Sequence, residues 1–338
     1  MKEETKKLDN IDLVKTIMMV LVVLYHSLRY FTGDWFNIYG DAPISNYAIY
    51  ITAFLKMFHV PSFCMALGFL YYYLKFEKNK YKILKDNIYN KIKRLLIPCI
   101  STIVLWALPI GMIFYKYSVK EIIYKFVLMA SPVQLWFLIA LFNIFCIAFI
   151  FPKKINLKNL IIIYLISTIC GSTLDYFGIH FFQIHTTIQY FLFFYLGGYI
   201  YKNKNTISTK KIIICFIILI PLLIVRFSSL NCEGVVYYLI RMIEPLISVL
   251  EIIVVYFLCT AFTKKYSLNN KLYLMISNNS FGIYLFHQQI IYIMIYAFNK
   301  HVNSFGLISI CFFASLLISL LMSLFFKKFK FTKTIFGL

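Results

Sequence analysis

Apolar stretches long enough to cross a lipid bilayer recur along this chain from end to end, and that recurrence leaves room for few folds. A run of about 18 or more apolar residues reads as a transmembrane helix, because only a closed helix satisfies its own backbone in hydrocarbon. Such runs fall at 11–30, 47–73, 95–115, 133–151, 158–175, 187–201, 211–228, 245–263, 279–298 and 305–326, with no long polar block between them. Hydrophobic residues make up 61% of the 338 and charged residues only 14%, which excludes an ordinary soluble domain. The expected fold is therefore an all-α integral membrane protein, one bundle of ten spans forming a single domain over residues 1–338. The first span, which contains VKTIMMVLVVLYHSLRY (Val14 to Tyr30), lacks a small-x-small cleavage site and is followed by further spans, so it reads as a helix of the bundle and not as a signal peptide.

The net charge of +21 raises the question of nucleic acid, and its distribution answers it. Every second loop is basic. The alternation puts 26 Lys and Arg on one side, seven on the other, and Lys56 within a span. The basic side carries Lys2, Lys6, Lys7 and Lys15, the Lys75–Arg94 stretch, Lys153, Lys154 and Lys158, and the C-terminal Lys327, Lys328, Lys330 and Lys333. The Asp34–Asp41 segment opposite has no lysine. The positive-inside rule assigns the basic side, and with it both termini, to the cytoplasm. The lysines then meet anionic lipid, no nucleic-acid partner is expected, and the cell's cytoplasmic membrane is the expected location. The eight cysteines are scattered through apolar runs without CxxC spacing, so neither a disulfide framework nor a metal site is expected.

Ionisable groups inside a bilayer are costly and normally face a bundle interior, which makes them candidates for function. His26, Lys56, His59 and His287 are such groups, with Arg241 and Glu244 near an outer end. Lys15 and His26 are eleven residues apart, nearly three whole turns, so they share one helix face and lie roughly 16 Å apart along the axis. With Lys15 at the cytoplasmic surface, His26 reaches about half the ~30 Å hydrocarbon depth. His59, in FHVPSF just before a helix-kinking Pro61, and His287, in FGIYLFH, fall at comparable depth, and Lys56 shares a face with His59. Each histidine read alone also fits a packing role. Arg94, in KIKRLLIP with Lys91, reads equally as an ordinary basic flank or as a phosphate clamp.

IDLVKTIMMVLVVLYHS, FHVPSFCMALGF, KIKRLLIP, QLWFLIALF (Gln134 to Phe142) and NNSFGIYLFH occur in this order, and together they resemble the acyltransferase 3 family of membrane acyltransferases. The FHVP form is most similar to the branch of sugar and exopolysaccharide O-acetyltransferases. Departures are Leu67-Gly68 where the family usually has Ser-Gly, Lys15 for the commoner Arg, and Lys91 for the first Arg of an RxxR pattern.

The resemblance implies transfer of an acyl group, usually acetyl, from acetyl-CoA or another acyl-CoA to a hydroxyl of a cell-surface or lipid-linked sugar, with no permanently bound cofactor. His26 is then the expected general base, with His59 beside it in catalysis. Lys15, Lys91 and Arg94 would bind the phosphates of coenzyme A, and Lys56, Trp136 and His287 would line the substrate pocket. A transporter or flippase of lipid-linked sugar or polysaccharide units is the alternative, since it too would use basic mouths and buried histidines. A glycan polymerase would need a larger outer loop.

Overall fold

The computed structural model describes residues 8–33, 35, 43–151, 154–204, 209–229 and 234–338, without the side chains of 234–241. Lys2, Lys6, Lys7, Asp34, Asp41 and most of the segment between them, Lys153, Cys232 and the side chain of Arg241 lie outside the described residues. Among the described residues, ten helices of membrane-crossing length follow one another. They are α1 (Asp9–Arg29), α2 (Asn46–Phe76), α3 (Leu84–Tyr115), α4 (Val133–Ile150), α5 (Leu157–Tyr176), α6 (Ile184–Lys202), α7 (Thr209–Ser228), α8 (Gly234–Lys265), α9 (Lys271–Phe298) and α10 (Ser304–Lys327). Only an isolated bridge between Thr32 and Ile44 represents β structure among the described residues.

Nine of these helices are apolar enough to cross a membrane by composition alone, and α6 is the tenth expected span. Its Thr, Gln and Tyr residues lower its hydropathy, but most of its side chains are buried. A span surrounded by protein does not need a lipid-compatible surface. By contrast, α7 buries only Ile212 and Leu219 and turns its other isoleucines outward. Three helices start well before their apolar runs: α3 at Leu84 instead of 95, α8 at Gly234 instead of 245 and α9 at Lys271 instead of 279. Beyond the hydrocarbon a helix tolerates polar residues, and Asn270 caps α9 by accepting from the Leu272 and Tyr273 N–H groups.

The ends of the helices sort as the alternating charge predicts. At one end Asn10 of α1 donates to Thr260 of α8 at 3.1 Å, and Lys327 of α10 donates to the Asn278 carbonyl of α9 at 2.8 Å. Phe336, just past the short helix Lys330–Ile335, packs on Phe326 at the end of α10 there. At the other end Tyr115 of α3 and Trp35 both pack on Tyr292 of α9. Thus α1, α3 and α9 run parallel, and α10 returns the chain to the end where it began.

Two glycines let α2 and α6 approach closely. A Cβ on Gly68 of α2 would run into the Phe194 carbonyl of α6, and one on Gly197 of α6 into the Met65 carbonyl of α2. Between helices in lipid, where no hydrophobic force separates protein from acyl chain, such close backbone contact is a main source of association. In α3, two wide π-type turns (Ile92–Leu96 and Ile103–Ala107) flank the stretch containing Pro98, which has no N–H to give. The second turn leads into a contact with α9, where Trp106 Nε1 donates to the Phe286 carbonyl at 3.2 Å.

Candidate functional site

The three intramembrane histidines converge. His26 on α1 lies 5.2 Å from His287 on α9, centroid to centroid. His59 on α2 packs at 4.9 Å on Tyr25, which itself lies 5.1 Å from His26. Their ring nitrogens differ in what they meet. His59 Nδ1 bonds the Leu55 carbonyl, and His287 Nδ1 bonds the carbonyls of Ile283 at 3.0 Å and Tyr284 at 2.9 Å. A carbonyl can only accept, so in both rings Nδ1 carries the proton, and in the neutral form Nε2 carries the lone pair. His287 Nε2 is buried with no partner, and so is His26 Nδ1.

His26 and His59 line a cavity of about 710 Å³, and His287, fully buried, stands behind His26 instead of in its wall. Met19, Phe63 and Tyr284 are the lining residues of α1, α2 and α9 that lie nearest the basic end of the bundle. Trp136, at the start of α4, lines it and packs 5.3 Å from Tyr190. Lys56 lines it too, and also a smaller cavity of about 130 Å³ that holds the Arg226–Glu244 ion pair at 2.7 Å. Of the residues expected in the substrate pocket, Lys56 and Trp136 are thus in the wall and His287 is one layer back.

Several residues of the site carry no signal that sequence reasoning used. Gln134 Nε2 donates to Gln289 Oε1 at 2.8 Å, and Gln289 Nε2 returns a bond to Gln134 Oε1 at 3.0 Å. Tyr284 donates its hydroxyl to the Gln134 carbonyl, and Gln288 donates to Tyr292. The signal was available, since amides inside apolar runs are as anomalous as imidazoles.

At the sparsely basic end the cavity meets Arg29, Trp35, Tyr115, Tyr117, Lys125 and Ser131. Trp35 packs 5.7 Å from His26 and 5.1 Å from Tyr292. The short helical segment 119–127 beside the mouth starts with a capping box between Ser118 and Glu121. The Ser118 N–H and hydroxyl hold the Glu121 carboxyl below the usual carboxylate range, and burial pushes the Tyr117 phenol up, so it stays a hydrogen-bond donor.

The three cations expected at coenzyme A are apart from this cavity. Lys15 pairs with Asp12 at 2.8 Å. Lys91 sets its ammonium 3.4 Å over the Phe145 ring. Arg94 is exposed on the first wide turn of α3. None of the three lines the cavity. Leu67, where the family usually has serine, packs against the core and is also absent from the wall. The seven cysteines among the described residues are free thiols.

The family model described as an acyltransferase domain, of the acyltransferase 3 family, matches residues 8–324. That span takes in all ten helices except the last residues of α10. No curated protein and no solved structure matches the chain.

Proposed function

The chain belongs to the acyltransferase 3 family, and on that premise we propose that this membrane acyltransferase moves an acetyl or similar acyl group from an acyl-CoA to a sugar hydroxyl. The observation that carries the reading is the pair of orphaned nitrogens, His26 Nδ1 in the wall of the large cavity and His287 Nε2 on the ring behind it, with the two ring centroids 5.2 Å apart. Since His287 Nδ1–H is committed to backbone carbonyls, its Nε2 can only accept. A small turn of the His26 ring lets His26 Nδ1–H donate to it. That leaves His26 Nε2 as a lone pair for the cavity, a base whose tautomer is fixed by the ring behind it.

In the reaction, the acceptor O–H gives its proton to His26 Nε2 while its oxygen attacks the thioester carbon. The C–S bond breaks, and the departing thiolate takes the proton from the imidazolium. The products are the sugar ester and free coenzyme A. His59, with Nδ1–H held by Leu55, offers a second lone pair at the same wall and positions either the hydroxyl or the thioester. The acceptor arrives through the aromatic mouth at Trp35, Tyr115 and Tyr117, whose flat faces and nearby hydroxyls and cations suit a sugar. The donor binds from the basic side, where Lys15, Lys91 and Arg94 offer charge to its phosphates. Its pantetheine arm then passes the Met19–Tyr284 level to present the thioester to His26.

The test is transfer of label from radiolabelled acetyl-CoA to surface glycan by the purified protein in detergent. Label that appears in glycan and is lost with His26→Ala supports the reading. Glycan that crosses vesicles without any acyl-CoA consumption would return the chain to the transporter alternative, which the family match disfavours.

A further inference from the structure

We propose that Asp175, His180 and His185 form a zinc-type divalent metal site at the sparsely basic end of the bundle, separate from the acyl-transfer cavity. Asp175 lies in the last turn of α5, His185 in the first turn of α6, and His180 in the connection, so the ligand spacing is D-x4-H-x4-H. One ligand atom from each of the three lies within 4.8 Å of the others. His180 Nε2 is 3.1 Å from Asp175 Oδ1, and the two imidazole rings are 4.4 Å apart.

A simple His180–Asp175 ion pair explains two of the three residues and leaves out His185. Yet His185 is only 9% exposed, and its Nδ1 is buried without a hydrogen-bond partner against the other two. Burying a ring nitrogen unmet is costly, and a metal ion would meet it. Two imidazoles and one carboxylate match zinc or a similar borderline ion, whereas calcium and magnesium prefer all-oxygen sites. The sequence expectation of no metal rested on cysteine spacing, which does not register histidine and aspartate brought together by a turn.

The site is positioned to brace the cavity mouth. Between His180 and His185, the Phe182 N–H donates to the Leu128 carbonyl at 2.9 Å. The Gln183 amide donates to the Met129 and Ala130 carbonyls at 2.8 and 3.0 Å. Ser131, the next residue, lines the cavity. An ion holding His180 and His185 therefore fixes the strand of loop that closes one side of the acceptor's route.

The experiment takes the full chain in detergent, strips it with chelator, and titrates Zn2+ calorimetrically in excess Mg2+. One Zn2+ per chain is expected, weakened at least about tenfold in His185→Ala and in the milder Asp175→Asn. Zn2+ should also raise the wild-type Tm and not that of the variants. Binding should persist in His26→Ala. Co2+ should give the visible bands of a low-symmetry nitrogen and oxygen site in wild type, which needs no variant to fold. The proposal is overturned if no saturable binding occurs, if the variants bind as wild type does, or if His26→Ala abolishes binding while His185→Ala retains it.

Discussion

The imidazoles of His26 and His287 lie 5.2 Å apart on different helices, and each holds a buried nitrogen with no hydrogen-bond partner. Two such groups side by side cost more than either does alone, unless they bond to one another in the working state. With His287 Nδ1–H held by the Ile283 and Tyr284 carbonyls, only one polarity of that bond is open.

This relay separates the two histidines by kinetics. His26→Ala should cost on the order of a hundredfold or more in kcat, as expected for loss of a general base. His287→Ala should lower kcat by about tenfold to hundredfold with KM unchanged, the scale of about 1–3 kcal/mol for a buried donor left unmet. His287→Gln keeps an acceptor oxygen and should recover part of the loss. Steady-state kinetics on folded variants decides, and a His287→Ala enzyme with wild-type kcat removes the relay.

For His59 the fixed tautomer is the handle. His59→Gln can offer a side-chain group in the cavity but no ring lone pair, and His59→Ala offers neither. If His59 positions substrate, His59→Gln should retain more activity than His59→Ala, with KM affected more than kcat. Equal and unchanged kinetics for both would reduce His59 to a packing residue of α2.

Gly68 tests the helix contact that places His59. Gly68→Ala adds a Cβ where the Phe194 carbonyl stands, so α2 and α6 must separate. Overpacking of this kind costs about 1–3 kcal/mol and should appear as a lower Tm in detergent. Gly197→Ala should act the same way from the other helix. Leu67→Ser, next to Gly68 but off the cavity wall, should change kcat little.

Arg94 reports on the donor. Loss of a hydrogen bond to a charged group is worth about 1.5–3 kcal/mol, so Arg94→Ala should raise the KM for acyl-CoA by about tenfold to hundredfold and leave acceptor KM near wild type. Lys should rescue only in part, since it supplies charge without the planar fork. Added salt should weaken wild-type donor binding more than that of the variant. Unchanged donor KM in Arg94→Ala would place the phosphate contacts elsewhere on the basic side.

The sequence by itself determined the all-α membrane bundle, the ten spans to within a few residues at most ends, and the order of motifs that carry the family. Those follow from composition and from local rules: a bilayer admits closed helices, and 3.6 residues per turn puts Lys15 and His26 on one face. It also picked out His26, His59 and His287 as costly residues. Only the tertiary structure decided that the three meet, that His287 backs His26 instead of facing the cavity, and that Trp35 and the Tyr117–Ser131 connection form the mouth. It also placed Lys15, Lys91 and Arg94 off the cavity and drew Asp175, His180 and His185 together. The reason is rotational. Periodicity fixes which residues share a face of their own helix, but how far each helix is turned toward its neighbours depends on contacts remote in sequence. Here those contacts are the Gly68–Phe194 approach, the wide turns of α3 around Pro98, and the Gln134–Gln289 amide pair.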